Sequence, residues 1–249
     1  MIYIFGDSYS EPNNTNRQEK VLSWVKKLNL FSGYRIINYS KSGKGSHFLF
    51  KHFFSVFDNF QRDDILIFIL SHPDRIEFDQ NLNQNFGYDF ESKKIWSKNN
   101  PYLNSNFDKV RFFYETYHDE LCVSNAKNVS FLYVIGKILN LKKVIVFHSF
   151  SDESLDIINF KLLNDENFFY YSRPLCDISE RELYAEDYLK RLNLKTGKDV
   201  RVNHLSKDNH LIMYDFILNI IKGKETNHKF KENFRSLNDT YVFSEFIYD

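Results

Sequence analysis

The sequence predicts an α/β fold, a three-layer α/β/α sandwich with a central parallel sheet. Short apolar segments alternate with amphipathic segments at helical spacing, which is the order of a sheet that carries helices on both faces. Residues 64–70 and 143–148 are almost continuously apolar, as strands are when both of their faces are buried in a parallel sheet. We therefore expect one domain over residues 1–249, with ligands bound at the carboxyl ends of the strands.

Four strands are predicted along the chain. Ile2–Phe5 is an apolar run that Gly6 ends, and 34–39, 64–70 and 143–148 carry similar aliphatic and aromatic residues. Helices are predicted where apolar residues recur three and four positions apart, in segments 19–30, 48–60, 107–121, 125–139, 179–192 and 211–221. Residues 79–105 are rich in Asn and aperiodic, so we expect a long loop within an insertion at about 79–130. A charged tail is expected from about 222.

Composition excludes several kinds of protein. The chain carries 33 basic and 33 acidic side chains, so no dedicated nucleic-acid or membrane surface is expected. Neither Cys122 nor Cys176 lies in a Cys-x-x-Cys pair, which argues against a disulfide framework and a cysteine zinc site. No signal peptide opens the chain, and its longest apolar run, Ile65–Leu70, is too short to cross a bilayer. A cytoplasmic protein is expected.

The first candidate segment, Gly6-Asp7-Ser8-Tyr9-Ser10, follows the first predicted strand. A serine there lies at the carboxyl edge of the sheet, where N–H groups of a following helix favour negative charge on its oxygen. The alternative is an ordinary strand-to-helix turn capped by Asp7 or Ser8. From this segment alone the ordinary turn is the more common case, because short motifs recur by chance.

The second candidate segment runs from Asn38 to Ser46, after the second predicted strand. Gly43 and Gly45 allow backbone N–H groups to approach a ligand closely, as in an oxyanion-binding loop. A flexible turn is the alternative. The segment is not a phosphate-binding P-loop, because that motif needs glycine where this chain has Asn38.

The third candidate segment covers residues 199–210 and precedes a predicted helix. His204 in this loop can act as a general base, with Asp199 as the group that orients it. The alternative for any single histidine is a solvated or capping role. His204 and His210 are six residues apart, which does not place them on one helical face, and the sequence has no His-Glu-x-x-His motif. No metal or other cofactor is expected.

Taken together, the three segments resemble the SGNH (GDSL-type) hydrolase family in their order and rough spacing. The matches to the family's blocks are Gly6-Asp7-Ser8, then Asn38 with Gly43 five residues later, then His204 before a helix. No motif covers 79–130. The resemblance implies the flavodoxin-like SGNH fold. It also implies Ser8 as nucleophile, His204 as base, and an oxyanion hole formed by the N–H groups of Ser8 and Gly43.

Two positions depart from the family pattern. The residue three before His204 is Arg201, where the family has Asp. Asp199 is therefore the expected acid, and a histidine oriented by a backbone carbonyl is the alternative. The Asn that the family places after its third strand is also absent. Ser71 or His72 is expected to replace it as an oxyanion donor, or else the hole has fewer donors.

By resemblance, the activity is hydrolysis of an ester through an acyl-enzyme. The expected partner is a small-molecule or glycan ester that carries an acetyl or other short acyl group, with Asp7 and Arg75 as substrate-binding residues. One alternative is an O-acyltransferase that passes the acyl group to a sugar hydroxyl. Another is a non-catalytic binding module on the same fold. The missing Asp and Asn favour the binding module, whereas the intact Ser8, Gly43 and His204 oppose it.

Overall fold

The structure is a computed structural model of the chain. It describes residues 1–11, 22–71, 86–89, 94–97, 128, 130–132, 135, 141–149, 167–171, 174–175, 205 and 207–224. The predicted helices 107–121 and 179–192 lie outside these residues, as does the predicted tail beyond 224.

Seven strands and three helices have defined bounds in the described ranges. In chain order they are β1 (Ile2–Phe5), α1 (Trp24–Phe31), β2 (Ile36–Asn38), α2 (Ser46–Ser55), β3 (Ile65–Leu70), β4 (Phe86–Asp89), β5 (Lys94–Ser97), β6 (Lys143–His148), β7 (Phe168–Tyr170) and α3 (Lys207–Ile221). A short 3-10 helix, Phe57–Asn59, follows α2. Asn128, Ser130–Leu132 and Ile135 are also helical. We call these residues the crossover segment, because they lie between β3 and β6 in the chain.

The main sheet has five strands in the order β2-β1-β3-β6-β7, and every neighbouring pair is parallel. The predicted α/β fold with a parallel sheet is thereby confirmed. The chain runs from β1 outward to β2 and then returns past β1 to β3, so the winding reverses between β1 and β3. In doubly wound sheets, ligands bind in the crevice at the carboxyl ends of the strands where this reversal occurs.

Alternating residues of the strands build a core on each face of the sheet. Ile2, Ile4 and the three isoleucines of β3 pack with α1 and α3 on one face, which we call the α1 face. Tyr3, Phe5 and the intervening β3 residues pack with α2 and the crossover segment on the other, the α2 face. Every residue of β1 and β3 is buried, because helices cover both faces.

Three strands of the structure, β4, β5 and β7, were not predicted. β4 and β5 form an antiparallel ribbon inside the segment predicted as a loop, with Phe86 opposite Ser97. β4 alternates aromatic residues with glycine and aspartate, and β5 carries Ile95 and Trp96, residue types that are enriched in strands. The many asparagines around both runs hide this signal. β7 has three residues and pairs with β6, from Val144↔Phe168 to Val146↔Tyr170. β7 was not predicted, although its three residues are all aromatic.

Helix bounds differ from the predicted ones for local reasons. α1 begins at Trp24, not at 19, because Ser23 is its N-cap and the Ser23 hydroxyl accepts a hydrogen bond from Lys26 N at 3.3 Å. α2 ends at Ser55, before the predicted end at 60, and the 3-10 helix follows. α3 begins at Lys207, four residues before the predicted Leu211. Within the described ranges, no helix is long and apolar enough to cross a membrane.

Candidate active site

Three loops leave the carboxyl ends of adjacent strands, where the winding of the sheet reverses. Ser8 follows β1, Gly43 follows β2, and Ser71 follows β3 directly. Because β1 lies between β2 and β3, these loops meet at one edge of the sheet. Ser8 is half-buried, whereas Ser71 is buried. The structure thus brings together Ser8, Gly43 and Ser71 of the predicted site.

The turn that carries Ser8 is held by its own backbone and side chains. The Asp7 carboxylate accepts a hydrogen bond from Tyr9 N at 3.0 Å, and the Asp7 carbonyl accepts one from Ser10 N at 3.2 Å. The Ser10 hydroxyl also donates to that carbonyl, at 3.3 Å. Asp7 is fully buried, so its carboxylate shapes the turn that presents Ser8. Its predicted contact with substrate stays a prediction.

Gly6 is required by close packing between this turn and β3. A Cβ atom added at Gly6 would lie 2.8 Å from the Cβ of Ile69 and closer still to the Ser10 hydroxyl. Real Cβ atoms do not approach other carbon atoms so closely, so any side chain here must displace the turn. The glycine therefore lets the chain turn directly above β3, close to the winding reversal.

Trp24 anchors the same turn from behind. It is completely buried, and its indole N–H donates to the Tyr9 carbonyl at 2.7 Å. Its backbone N–H donates to His210 Nδ1 at 3.4 Å, which joins the start of α1 to the first turn of α3. Trp24 was predicted only as an apolar residue within the helix 19–30. The signal that could have marked it is its residue type, because the chain has only two Trp residues.

Asn38 fastens the second loop to the first. Its side-chain NH2 donates to the Ser10 carbonyl at 2.7 Å, and its side-chain oxygen accepts from Ser40 N at 2.7 Å. The Ser10 and Ser40 hydroxyl oxygens lie 2.8 Å apart, within hydrogen-bond distance of each other. Asn38 was predicted as part of a family motif, and the structure gives it this bridging role.

Asn38 also borders a groove of about 350 Å³ between α1 and β2 that is lined by Val25, Lys26, Asn29, Leu30 and Ile36.

Further backbone bonds complete this junction. Lys41 N donates to the Gly6 carbonyl at 3.1 Å, and the Glu11 carboxylate accepts from Ser42 N at 2.9 Å. The segment just before Gly43 is therefore joined to both sides of the Ser8 turn. A loop held in this way keeps its backbone donors in place when charge develops on a ligand.

Gly43 adopts φ of +81°, in the left-handed region that favours glycine. This conformation turns the chain into α2, which begins at Ser46 with Gly45 as its N-cap. Gly45 has no side chain to bond the exposed N–H groups of the first helical turn, and the helix dipole makes this end electropositive. The backbone around Gly43 is thus suited to an anionic oxygen.

Lys44 and Ser71 add polar groups near this edge. Lys44 is buried, and its Nζ lies 5.4 Å from the centroid of the Phe48 ring. Ser71 immediately follows Leu70, whose carbonyl accepts from Ser149 N at 2.8 Å. Ser149 is itself fully buried at the end of β6. The residue after β6 is therefore bonded to the last residue of β3, which directly precedes Ser71.

Four predicted site residues lie outside the described residues: Asp199, His204, His72 and Arg75. Leu205, which follows His204, is described and buried. It belongs to the same hydrophobic cluster as Trp24 and as Tyr9, the residue that follows Ser8. The assignments of Asp199, His204, His72 and Arg75 stay predictions.

His148, the last residue of β6, is a buried histidine that the sequence analysis did not single out. Burial lowers the pKa of His148 to about 3, because the charged imidazolium would lose its hydration. Its ring packs edge-on against Tyr170, with the centroids 5.2 Å apart. The signal was present in the sequence as a polar residue that ends an apolar strand at the carboxyl edge.

The described part of the chain contains no group of three or more His, Cys, Asp or Glu residues that could hold a metal ion. No family model matches the chain, and no curated protein matches it either. Any function assigned to this chain must therefore be argued from its own residues.

Proposed function

We propose that this chain is a serine hydrolase of the SGNH (GDSL) type with the flavodoxin-like fold of that family. The proposed substrate is an ester of an acetyl or other short acyl group, carried on a carbohydrate or small molecule. The observation that carries the proposal is the junction of the Ser8 turn and the Gly43 loop at the winding reversal. Asn38 holds these loops together through the Ser10 carbonyl, at 2.7 Å.

The strand order supports the proposed fold. Counted along the chain, the five strands of the main sheet are arranged 2-1-3-4-5, which is the flavodoxin-like order. The nucleophile in this proposal stands after the first strand, on one side of the winding reversal. That edge of a doubly wound sheet is where ligands bind.

The proposed chemistry begins with His204, which takes the proton of the Ser8 hydroxyl while Ser8 Oγ attacks the ester carbonyl. Negative charge then develops on the former carbonyl oxygen. It is stabilised by the N–H groups of Ser8 and Gly43, with Ser71 or His72 as a further donor. His204 protonates the departing alcohol, which leaves an acyl group on Ser8. Water, activated by His204, releases the acid and restores the serine.

Asp199 has the role of orienting His204 in this proposal. A backbone carbonyl is the alternative for that role, and the two make different predictions. If Asp199 stabilises the imidazolium, Asp199→Asn lowers kcat by several orders of magnitude, as loss of a triad carboxylate does. If a backbone carbonyl does so, Asp199→Asn changes kcat by less than about threefold.

Covalent labelling tests the nucleophile. The folded chain is treated with a fluorophosphonate probe, and the modified peptide is identified by mass spectrometry. We expect label on Ser8, none on Ser8→Ala, and labelling slowed at least about a hundredfold in His204→Ala, because the base is lost. Ser55→Ala is the matched control, since Ser55 is exposed at the far end of α2.

Two outcomes would contradict the proposal, one by rejecting the hydrolase and one by rejecting its nucleophile. Absence of label in folded wild-type protein would favour the non-catalytic binding module. Full hydrolysis of 4-nitrophenyl acetate by Ser8→Ala would refute Ser8 as nucleophile. The acyltransferase alternative shares the acyl-enzyme, so product analysis with and without a sugar acceptor separates it from hydrolysis.

A further inference from the structure

Three polar side chains are buried on the α2 face with atoms that have no hydrogen-bond partner among the described residues. These atoms are Ser46 Oγ, both side-chain atoms of Asn128, and His148 Nε2. Asn128 and His148 are 1% and 2% exposed, and Ser46 is buried as well. We call these three residues the buried polar cluster. Buried polar groups in native proteins nearly always have partners, so this combination calls for a ligand or a water.

The strands place His148 at the carboxyl edge of the α2 face. His148 is two residues beyond Val146, so it shares a face with Val146, which belongs to the α2-face core. It pairs in register with Leu70, the last residue of β3. Its ring contacts Tyr170, which packs against the same core. His148 therefore ends the row of apolar side chains on this face.

The helices place the other two residues at the same level. The rings of Phe50 of α2 and Phe131 of the crossover segment touch, with centroids 3.8 Å apart. Ser46 lies four residues before Phe50, and Asn128 lies three before Phe131, so each is about one turn closer to its helix start. Helices that connect parallel strands run opposite to them, so these earlier turns lie toward the carboxyl edge.

The level along the strands agrees with this placement. The Phe131 ring lies 5.5 Å from that of Phe68 in β3. One turn of helix toward the edge from Phe131 reaches Asn128, about 4.5 Å away along the axis. Two residues further along β3 is Leu70, about 6.6 Å away, and Leu70 is the partner of His148. Asn128 in the helix layer and His148 in the sheet therefore lie at a similar level, close to the carboxyl edge.

We propose that the buried polar cluster binds one uncharged group of the substrate, a hydroxyl or an amide on the alcohol side of the ester. This inference rests on the proposed hydrolase. Ser46 follows Gly43 by three residues, so the cluster adjoins the proposed oxyanion loop. The Asn128 amide can both donate and accept hydrogen bonds, and so can the Ser46 hydroxyl. In a neutral imidazole one nitrogen donates and the other accepts, so His148 Nε2 has one of these two roles. Together they match a hydroxyl or an amide.

A charged group does not suit this cluster. An amide, a hydroxyl and an uncharged imidazole cannot offset the loss of hydration of a carboxylate or an ammonium. The nearby Lys44 ammonium lies over the ring of Phe48. Phe48 is two residues after Ser46 in α2, so the two side chains leave the helix about 200° apart. Lys44 thus approaches the far side of the helix. We expect the cluster to select uncharged sugars over charged ones.

Binding is tested in the full chain with Ser8→Ala, which cannot turn substrate over. The probes are glucose and N-acetylglucosamine, with glucuronate and glucosamine as charged counterparts, each at about 100 mM. We expect at least one neutral sugar to raise Tm by about 2 °C or more, and the charged sugars to have no such effect. Asn128→Leu, similar in shape, is expected to abolish the rise. Ser46→Ala reduces it, while Ser55→Ala at the other end of α2 leaves it intact.

Kinetics provides the second readout. In otherwise wild-type protein, Asn128→Leu is expected to raise KM for a mono-O-acetylated neutral sugar about tenfold. The same change should alter kcat/KM for 4-nitrophenyl acetate by less than about twofold, because that ester has no sugar. If Asn128→Leu does not fold, the KM for the sugar ester is compared between Ser46→Ala and Ser55→Ala. The expected rise in KM for Ser46→Ala is smaller than the rise of about tenfold for Asn128→Leu.

The outcomes separate this proposal from the hydrolase itself. If no sugar raises Tm, or if Ser46→Ala and Asn128→Leu respond like the parent chain, the cluster holds an ordered water only and the inference is overturned. If neutral sugars bind through the cluster but Ser8 is neither labelled nor needed, the binding site stands and the hydrolase is rejected. If 4-nitrophenyl acetate is cleaved but the cluster variants have no effect on cleavage of the sugar ester, the hydrolase stands and the binding site is rejected.

Discussion

Lowering the pH from 7.5 to 5.0 is expected to destabilise the folded protein through His148. Burial lowers the pKa of His148 to about 3 in the native state, while the ordinary value of 6.5 applies to the unfolded chain. The unfolded chain therefore binds a proton at pH 5.0 that the native protein does not. The contribution of the neutral imidazole to stability is fully present above pH 6.5. It decreases as the pH falls from 6.5 and is lost entirely at about pH 3.

The size of the effect follows from these two values. A pH of 5.0 lies 1.5 units below the pKa of 6.5 that His148 has in the unfolded chain. This difference corresponds to a loss of about 2 kcal/mol in the free energy of unfolding. With a urea dependence of roughly 2–3 kcal/mol per molar, the midpoint should move by about 0.7–1 M. Other titrating groups add their own dependence on pH, so the quantity to compare is the difference between variants.

The assay is urea unfolding of wild type, His148→Phe and His47→Phe at pH 7.5 and 5.0. His148→Phe keeps a ring against Tyr170 and has no group at this position that titrates. Between pH 7.5 and 5.0 it should therefore lose about 2 kcal/mol less of its free energy of unfolding than wild type does. His47→Phe is the control, because it removes an exposed imidazole from α2. Equal pH dependence in wild type and His148→Phe would refute the assignment of this loss to His148.

Three further predictions concern the junction of the loops, each checked by urea unfolding at neutral pH. Gly6→Ala should destabilise the fold by about 1–3 kcal/mol, because its Cβ would meet Ile69 Cβ at 2.8 Å; an unchanged midpoint would contradict this close packing. Asn38→Leu should cost about 1–3 kcal/mol and slow labelling of Ser8, since the Ser10 carbonyl loses its donor; the exposed Asn29→Leu is the control. Trp24→Phe removes the indole donor to the Tyr9 carbonyl and should cost about 1–3 kcal/mol, a prediction that fails if stability is unchanged.

The strands of the main sheet were predictable where their apolar runs were long. Ile65–Leu70 and Lys143–His148 are six residues each, and both are strands at the positions expected. A strand buried on both faces needs apolar residues at every position, so its composition alone reveals it. β1 and β2 are just as short as β7 and the two strands of the β4–β5 ribbon, yet only β1 and β2 were predicted. Strands of three or four residues depend on their partners to form, so their own sequence is an uneven guide to them.

The start of α3 shows a different limit. Residues 207–210 are polar and were taken as loop, yet Asn209 and His210 are buried in the first turn of a helix. His210 accepts a hydrogen bond from the backbone of Trp24, 186 residues earlier in the chain. No local pattern reveals a partner at that distance, so the polarity of the segment was misleading about its structure.

For the candidate site, local sequence was enough to predict which residues follow each strand and in what order, namely Ser8, Gly43 and Ser71. That information is local, because a strand and the turn that ends it are encoded by neighbouring residues. The pairing of the strands places β1 between β2 and β3, so that these turns share one edge, and the sequence did not reveal that order. The tertiary structure also decided that the Asn38 amide bonds the Ser10 carbonyl and that His210 bonds the backbone of Trp24. These are contacts between distant segments, and their formation depends on how whole layers pack, which no single stretch of sequence specifies.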